Sequence, residues 1–532
     1  MSNSSGKLSI DEKAKGKQNV EPITSFTDEN IGKNEVLTSF KSADGKIVNI
    51  TGDVDEAMKL AVNLNDIKID EKADKKLLLK IDICLLPLLC LLYAFQFMDK
   101  ISNSYAAVMG FREYFGMVGN MYSWCGTAFY LGYLFFEFPS NMLIQRFPLA
   151  KTASVFIVLW GMILCLHSSC KSYAAIITLR VILGMLESIV TPTMVLLTSQ
   201  WWKKEEQFFR TTIWFACNGV GTMLGGAIAY GLAKHKDQIS FPAWKVLYLV
   251  DGLMTIAIGF IFFLHVPDNP SKAWFLTKKE KEMVVLRIKD NQQGFGNKHF
   301  KWYQFKEAIC DWQIILYVIF GCVSNIPNGS LTNFSSILLN TDFGYDEYDS
   351  LLMNMPAGAV EFVGCILIVA IGIKLPMLSV SFFSMVVGLV ASCMLAFSSN
   401  KEVKLAGYYL ISIYALPMIC NLACFSANTA GHTKKITADA LYLISYCVGN
   451  LIGPQTFIAS QAPGYSGGKI TIVVCNSISV VIIAVNWFIY WNRNRVRDKK
   501  GNEEATAILS HVENFEFADL TDKENPYFRY TL

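Results

Sequence analysis

Apolar residues form long runs through the middle of the chain and are sparse at both ends. A helix that crosses the hydrocarbon core of a bilayer needs about 20 mainly apolar residues, within a range of roughly 17–25. Twelve runs meet this requirement, at approximately 80–103, 119–140, 150–168, 173–199, 210–232, 243–266, 312–334, 350–373, 376–398, 404–427, 436–459 and 469–491. The pattern predicts an all-α integral membrane protein with twelve spanning helices.

Polar segments divide these helices into two groups of six. The predicted regions are a cytosolic N-terminal tail (1–77), an N-terminal six-helix bundle (78–266), a cytosolic central loop (267–311), a C-terminal six-helix bundle (312–492) and a cytosolic C-terminal tail (493–532). The N-terminal tail is rich in Ser, Lys, Asp, Glu and Asn. This composition predicts a largely disordered segment with no signal peptide.

The positions of Lys and Arg predict the orientation, because cytosolic loops carry an excess of both. Nine basic residues lie in 267–311 and five follow the last span between 493 and 500, whereas 336–350 has four acids and no base. This distribution places both tails and the central loop in the cytosol. Within that loop, Thr277 precedes an amphipathic pattern, which predicts a surface helix with Thr277 as its N-cap.

Composition excludes several classes of protein. Only 17% of the residues are charged and 52% are hydrophobic, whereas soluble domains carry about 25% charged residues. The net charge of +3 gives no indication of nucleic-acid binding. Twelve of the 14 cysteines lie in apolar runs, where free cysteine acts as a small hydrophobe. No disulfide framework is therefore predicted.

The chain lacks the sequence motifs of nucleotide and metal chemistry. Gly467-Gly468-Lys469 is too short for a phosphate-binding loop and has Ile470 in place of the hydroxyl residue. No HExxH-type motif occurs, and the six histidines are scattered. We therefore expect no enzymatic activity, no catalytic residue, no metal and no cofactor, and an ion gradient as the energy source.

Ionisable side chains inside predicted spans are energetically costly and are therefore functional candidates. Arg180 and Glu187 are seven residues apart, which places them on one face of the fourth helix. Such a pair can couple protons to transport, or it can be a static ion pair that stabilises the bundle. Asp99 and Lys100 lie near the end of the first span, where they are either interfacial or, if the helix continues through 106–111, buried.

Two further acids lie inside or near spans. Glu137 precedes Pro139 and Asn141 close to the cytosolic end of the second span, and Asp251 lies in the sixth. Taken by themselves, both acids are better interpreted as capped, interfacial carboxylates.

Amide side chains recur in the seventh and tenth spans. Asn325 and Asn328 flank Pro327, which predicts a break in the seventh helix, and Asn428 lies at the end of the tenth. These amides can line a substrate cavity, and hydrogen bonding between helices explains them equally well.

Short motifs along nearly the whole chain match one family. They include Phe97-Met-Asp99-Lys100, Phe136-Glu137-Phe-Pro139-Ser-Asn141, Arg180-Val-Ile-Leu-Gly184-Met-Leu-Glu187, Trp201-Trp202, Val266-Pro-Asp-Asn-Pro270, Asn428-Thr-Ala-Gly431-His-Thr-Lys434-Lys435, Gly449-Asn450-Leu-Ile-Gly453-Pro454-Gln455 and Asn525-Pro-Tyr-Phe-Arg-Tyr-Thr-Leu532. With these motifs the chain resembles the anion:cation symporter family of the major facilitator superfamily, and within it the fungal allantoate permease group. The resemblance implies the twelve-helix major facilitator fold of two six-helix bundles.

The resemblance also implies residue roles. Asp99 and Glu187 would bind and release protons, with Arg180 as their exchangeable partner. Lys100 stands where related symporters carry a base, usually Arg, that meets the substrate carboxylate. Asn325, Asn328 and Asn428 are our candidates for neutral hydrogen bonds to the same substrate.

The implied function is proton-coupled import of small organic anions, with allantoate and ureidosuccinate as the leading substrates and small peptides as further ones. Within the same fold, the alternatives are carriers of nicotinate, pantothenate or cysteine, and a transporter-like nutrient sensor belongs to a different class. The expected partners are the anion, protons and the lipid bilayer, without nucleic acid. We expect a monomer in the plasma membrane, with the endoplasmic reticulum or vacuolar membrane as alternatives.

Overall fold

The computed structural model describes residues 36–41, 47–51, 70–289, 301–372, 375–509, 521–525 and 528–532. The chain forms two compact units, residues 1–68 and 69–532. In the first unit, β1 (Val36–Lys41) pairs in antiparallel fashion with β2 (Ile47–Thr51). Sequence patterns did not predict this hairpin. Within 1–77, the structure describes only this hairpin and the start of the first helix, at residues 70–77. The remaining residues of the predicted disordered tail lie outside the described part of the chain.

The described part of the second unit is helical. Its α-helices are α1 (Glu71–Ala106), α2 (Met121–Arg146), α3 (Leu149–His167), α4 (Tyr173–Glu187), α5 (Val190–Trp201), α6 (Lys204–Lys234), α7 (Ala243–His265), α8 (Lys278–Lys289), α9 (Trp302–Cys310), α10 (Trp312–Thr341), α11 (Glu347–Leu352), α12 (Met355–Gly372), α13 (Met377–Phe397), α14 (Lys401–Ile411), α15 (Ala415–Asn428), α16 (His432–Ile452) and α17 (Ser466–Leu509). A π-helical turn, Ala107–Phe111, extends α1.

In the described part of the chain, eleven helical segments are long and apolar enough to cross a membrane. The remaining predicted span is α2, a helix of 26 residues, which at 1.5 Å per residue is roughly 39 Å long. The predicted all-α membrane architecture is confirmed. The break expected at Pro327 is absent, since α10 runs through that residue. The interruptions lie instead in the fourth span, between α4 and α5, in the eighth, between α11 and α12, and in the tenth, between α14 and α15.

The surface helix in the central segment forms as expected. Thr277 precedes α8, its Oγ1 accepts a hydrogen bond from the Glu280 backbone, and the Glu280 carboxylate accepts one from the Thr277 backbone at 2.9 Å. This reciprocal capping box satisfies two backbone donors that a helix start otherwise leaves unpaired. The buried face of α8 includes Val284 and Val285, which explains its amphipathic pattern.

Glycines set the closest helix crossings. A Cβ on Gly161 of α3 would lie 2.7 Å from the Gly252 carbonyl oxygen of α7, so both helices need glycine there. In the same way, α6 meets α12 at Gly219 and Gly358, each of which would overlap the other's carbonyl if it carried a Cβ. The first crossing stabilises the N-terminal bundle and the second joins the two bundles.

With α2 counted as the twelfth span, the start of α1, the described part of the central segment and the end of α17 share one side of the membrane, which we call the tail side. At the opposite, far side, hydrogen bonds join the two bundles. Ser104 Oγ lies 3.1 Å from Ser335 Oγ, and Thr127 Oγ1 donates to the Leu451 carbonyl at 3.1 Å. The bundles are therefore in contact at the far side in this structure.

The described residues of 521–532, which we call the clasp, pack on the tail side of the C-terminal bundle. The Asn428 amide donates to the Thr531 carbonyl at 2.8 Å and accepts from the Thr531 N–H at 2.7 Å. Asn494 makes the same pair of bonds with Tyr530, at 2.9 and 3.0 Å. The side chains of Asn428 and Asn494 thus make the backbone hydrogen bonds that a neighbouring strand would make in a sheet.

A buried lysine holds the clasp in place. The Lys434 ammonium, fully buried, lies 2.8 Å from a Glu307 oxygen, 2.8 Å from Asp311 and 2.6 Å from Asp522 of the clasp. Burial by itself would raise the pKa of Asp311, but Lys434, followed by Arg493, outweighs it and holds that pKa below its usual value. Lys434 is thus the centre of a buried ionic cluster.

Removing the Asp522 carboxylate is expected to lower thermal stability. In Asp522→Ala, Lys434 loses one of its three counter-charges, and an unsatisfied buried donor costs about 1–3 kcal/mol. The measurement is the thermal unfolding midpoint of the purified protein. Arg529→Ala is the control, because that side chain is 43% exposed and pairs with Asp498 at the surface. Equal midpoints for Asp522→Ala and the control would refute a stabilising clasp.

Candidate functional site

An ion pair between α1 and α4 forms the centre of the candidate site. Lys100 Nζ lies 2.9 Å from Glu187 Oε1, and the two side chains are 11% and 0% exposed. The Lys100 side chain is therefore largely covered by protein and engaged with Glu187. The sequence suggested that Arg180 pairs with Glu187, but two helical turns separate them by about 10 Å along the axis. Lys100 comes from a neighbouring helix and reaches Glu187 directly.

Arg180 has neutral partners. Its Nη2 donates to Asn103 Oδ1 at 3.0 Å and to the Tyr248 hydroxyl, and its guanidinium lies 5.4 Å from the Tyr248 ring centroid. Asn103 in turn donates to Asn333 Oδ1 of the other bundle at 3.1 Å. Arg180 is thereby linked to the far-side contact between the bundles. Neither Asn103 nor Tyr248 was singled out from the sequence.

Asp99 is almost fully buried and has different neighbours from Lys100, as expected for consecutive residues of a helix. Its Oδ2 accepts a hydrogen bond from Trp160 Nε1 of α3 at 2.8 Å. Within the described residues, no Lys, Arg or His nitrogen lies within 4.0 Å of the Asp99 carboxyl. The three proposed proton-coupling residues, Asp99, Arg180 and Glu187, are thus all in the N-terminal bundle but do not form one ion pair.

In the C-terminal bundle, Asn325 and Asn328 join a chain of polar side chains. Asn328 Nδ2 donates to Asn450 Oδ1 at 2.9 Å, and the Tyr414 hydroxyl donates to Asn328 Oδ1 at 2.6 Å. Asn450 Nδ2 also reaches Asn325 Oδ1, at 3.4 Å. Asn450 and Tyr414 were missed as site residues, although Asn450 lies in a motif that carried the family resemblance.

Asn428 lies apart from these amides. Both of its amide atoms are engaged by the Thr531 backbone of the clasp, and its Nδ2 also lies 3.1 Å from Cys424 Sγ. The partner is about a hundred residues further along the chain, so no local pattern could indicate it. We leave Asn428 out of the proposed substrate site.

Aromatic rings and further acids surround the polar groups. The Lys100 ammonium lies 6.0 Å from the Phe129 ring centroid and 5.9 Å from that of Tyr133. Glu137, interpreted from the sequence as interfacial, is 7% exposed and bonds Asn141. Glu361 of α12 is 4% exposed and was not singled out, although an acid inside a predicted span was the available signal.

The acids around Lys434 are close enough together to suggest a metal site. Carboxylate oxygens of Glu307, Asp311 and Asp522 lie within 4.8 Å of one another. The Lys434 ammonium lies within 2.8 Å of all three and supplies the positive charge that a cation would bring. We therefore assign this cluster to the clasp and not to a metal.

Comparison with known proteins identifies the family. The Major Facilitator Superfamily model matches residues 89–454. The chain is 47% identical to the allantoate permease of Saccharomyces cerevisiae over 98% of both chains. It is 45% identical to an uncharacterized transporter of Schizosaccharomyces pombe, over 90% of this chain and 94% of that one. A thiamine pathway transporter of Saccharomyces cerevisiae is 34% identical over 86% of both chains.

Solved structures share the fold. A D-xylose–proton symporter matches with a TM-score of 0.55 at 11% identity, covering 75% of this chain and 96% of that one. An inward-facing bacterial homologue of the lysosomal transporter Spinster matches with a TM-score of 0.53 at 14% identity, covering 79% and 97%. The whole-length sequence match, the family model and the shared fold together make this chain a membrane transporter of the major facilitator superfamily, in the fungal allantoate permease group, and not an enzyme.

Proposed function

We propose that this protein is a proton-coupled importer of small organic anions, with ureido acids such as allantoate and ureidosuccinate as its leading substrates and small peptides as further ones. The buried ion pair of Lys100 and Glu187 is the observation that carries the proposal. A carboxylate in a low-dielectric site needs a cationic partner, and Lys100 can provide one. The 47% identity to an allantoate permease supports the choice of substrate class.

Exchange of partners at Lys100 couples the proton to the anion. Without substrate, Lys100 is neutralised by Glu187. When Glu187 binds a proton, Lys100 becomes available to the substrate carboxylate. If the substrate binds while Glu187 is ionised, the substrate carboxylate and Glu187 compete for the single ammonium of Lys100. If Glu187 is protonated and no substrate is bound, Lys100 has no counter-charge. Because an unpaired buried charge costs several kcal/mol, the two ligands enter together.

The second bundle provides neutral hydrogen-bonding groups for the rest of the substrate. Asn325, Asn328, Asn450 and Tyr414 offer amide donors, amide acceptors and a hydroxyl in one connected chain. Ureido groups carry both N–H donors and carbonyl acceptors, so they match this set. A substrate held by Lys100 at one end and by these residues at the other bridges the two bundles, which is the arrangement that alternating access requires.

A vitamin or amino-acid carboxylate is the second candidate substrate. Nicotinate, pantothenate and cysteine each have a carboxylate that satisfies Lys100, and the ammonium alone does not distinguish them. A relative named as a thiamine pathway transporter, 34% identical, supports this second candidate. The neutral residues of the C-terminal bundle would then determine the specificity.

Uptake of a panel of labelled anions in cells that lack their own carriers tests the proposal. The panel contains allantoate, ureidosuccinate, a dipeptide, nicotinate, pantothenate and cysteine. We expect accumulation of allantoate against its gradient, faster in acidic medium and abolished by a protonophore. Uptake that is insensitive to the protonophore would refute proton coupling. Uptake of another anion of the panel, without uptake of allantoate, would identify that anion as the substrate instead.

We also expect both termini and residues 267–311 to be cytosolic, in a monomer in the plasma membrane. The Lys and Arg of the tail side motivate this orientation. Epitope tags at either end or in the central segment should react with antibody only after permeabilisation, with fluorescence at the cell periphery. Labelling of the central segment in intact cells would reverse the orientation, and internal fluorescence would indicate the endoplasmic reticulum or vacuolar membrane.

A further inference from the structure

Asp251 is a buried acid that the proposed partner exchange does not use. Its side chain is fully buried, which corrects the interfacial interpretation. It lies in α7 next to Gly252, where α7 packs against Gly161 of α3 with almost no space between the backbones. Asp251 also reaches α1, where its Oδ2 is hydrogen-bonded to Ser102 Oγ. The carboxyl is thus enclosed by three helices of one bundle.

The hydrogen bonds of Ser102 indicate the protonation state of Asp251. Ser102 Oγ also lies 2.8 Å from the Met98 carbonyl oxygen, four residues earlier in α1. A serine hydroxyl has a single proton, and a carbonyl can only accept. If Ser102 donates to Met98, the second hydrogen bond needs a proton from Asp251. A neutral Asp251 therefore satisfies both contacts, whereas an ionised Asp251 leaves one of them without a proton.

The charges around Asp251 agree with a neutral acid. Within the described residues, no Lys, Arg or His nitrogen lies within 4.0 Å of its carboxyl, and its Oδ1 has no hydrogen-bond partner. The basic side chains of the region are already engaged, Lys100 by Glu187 and Arg180 by Asn103. An ionised Asp251 would add an uncompensated buried charge, at a cost of several kcal/mol.

The titratable groups on the surrounding helices do not supply a counter-charge either. Those in the same part of the bundle are Asp99 and Tyr105 on α1, Cys165 and His167 on α3, and Tyr248 on α7 itself. The charged residues of α6 lie near its two ends, between Lys204 and Arg210 and at Lys234. Asp99 lies three residues before Ser102 on the same face of α1, and its charge would have the same sign as that of Asp251. Two neighbouring carboxyls favour a state in which one of them keeps its proton.

We propose that Asp251 is a third proton-binding group of this transporter, which titrates together with Asp99 as a pair. The proposal rests on the proton coupling proposed above. In this state the pair holds one proton and carries one negative charge. The residue after Ser102 is Asn103, which forms the contact with Asn333 of the other bundle. Opening of the bundles at the far side breaks that contact and brings water to the pair, which can then exchange its proton.

Asp251→Asn tests the proposal, because the amide N–H can donate to Ser102 as the neutral acid does but cannot release a proton. In proteoliposomes, we expect fewer protons taken up per substrate anion than in the wild type, and a flatter pH dependence of uptake. Ser154→Ala is the matched control. That buried serine of α3 bonds the Ala150 carbonyl of its own helix, so its loss should leave the proton-to-substrate ratio at the wild-type value.

Infrared spectroscopy provides a readout that does not depend on transport. Wild-type protein with isotope-labelled aspartate should show the C=O band of a protonated carboxyl at neutral pH, and Asp251→Asn should lose it. Absence of the band in the wild type, or its persistence in the variant, overturns the assignment. If the wild type couples protons to substrate and Asp251→Asn has the same proton-to-substrate ratio, the assignment is also overturned, while the proposed function still holds. Substrate uptake by the wild type without proton movement refutes the proposed function itself.

Discussion

Glu187→Gln is expected to abolish gradient-driven accumulation of the substrate anion. The glutamine amide mimics the protonated acid in shape and charge but cannot ionise, so it carries no proton and no longer neutralises Lys100. The proton gradient then has no route by which to drive the anion. Because Lys100 remains available to the substrate carboxylate, exchange of external for internal substrate should persist in part.

Accumulation and counterflow measured in the same cells separate these two effects. The internal substrate concentration should approach that of the medium, while labelled substrate still exchanges across the membrane. Glu113→Gln is the control, since this side chain is 68% exposed and lies beyond the end of α1. A well-expressed Glu187→Gln protein that accumulates substrate as the wild type does would exclude Glu187 from the coupling.

Lys100→Gln is expected to raise the transport KM steeply. A hydrogen bond to a charged group contributes about 1.5–3 kcal/mol, and about 1.4 kcal/mol corresponds to a tenfold change in affinity. We therefore expect the KM to rise by roughly tenfold or more. Lys100→Arg should retain partial function, because it keeps the charge but presents a planar fork in place of a compact ammonium.

The KM is compared with protein abundance at the membrane, because Lys100→Gln also leaves Glu187 without its cation. The double variant Lys100→Gln/Glu187→Gln removes both charges and should restore abundance without restoring affinity. Lys75→Gln serves as the control, since Lys75 is 74% exposed and pairs with Glu71 on the surface of α1. An unchanged KM in Lys100→Gln would assign Lys100 a purely structural role.

Local sequence patterns were sufficient for the membrane architecture. A run of about 20 apolar residues has few alternatives to a spanning helix, since an unpaired backbone is too costly in lipid. The capped surface helix after Thr277 was equally predictable, because its cap and its apolar face lie within one short segment. Pro327 shows the limit of such rules. Proline disfavours a helix interior, yet α10 continues through it, as neighbouring helices can compensate within a membrane bundle.

The sequence by itself determined the class of protein and located its long apolar helices, because both depend on composition within a few helical turns. Only the tertiary structure decided how the polar residues of these helices pair. Lys100 of α1 meets Glu187 of α4, Asn428 is engaged by Thr531 of the clasp, and Asp251 is enclosed between α1 and α3. Spacing along one helix determines which residues share a face, but the partner opposite that face comes from a distant part of the chain and depends on the packing of the whole bundle.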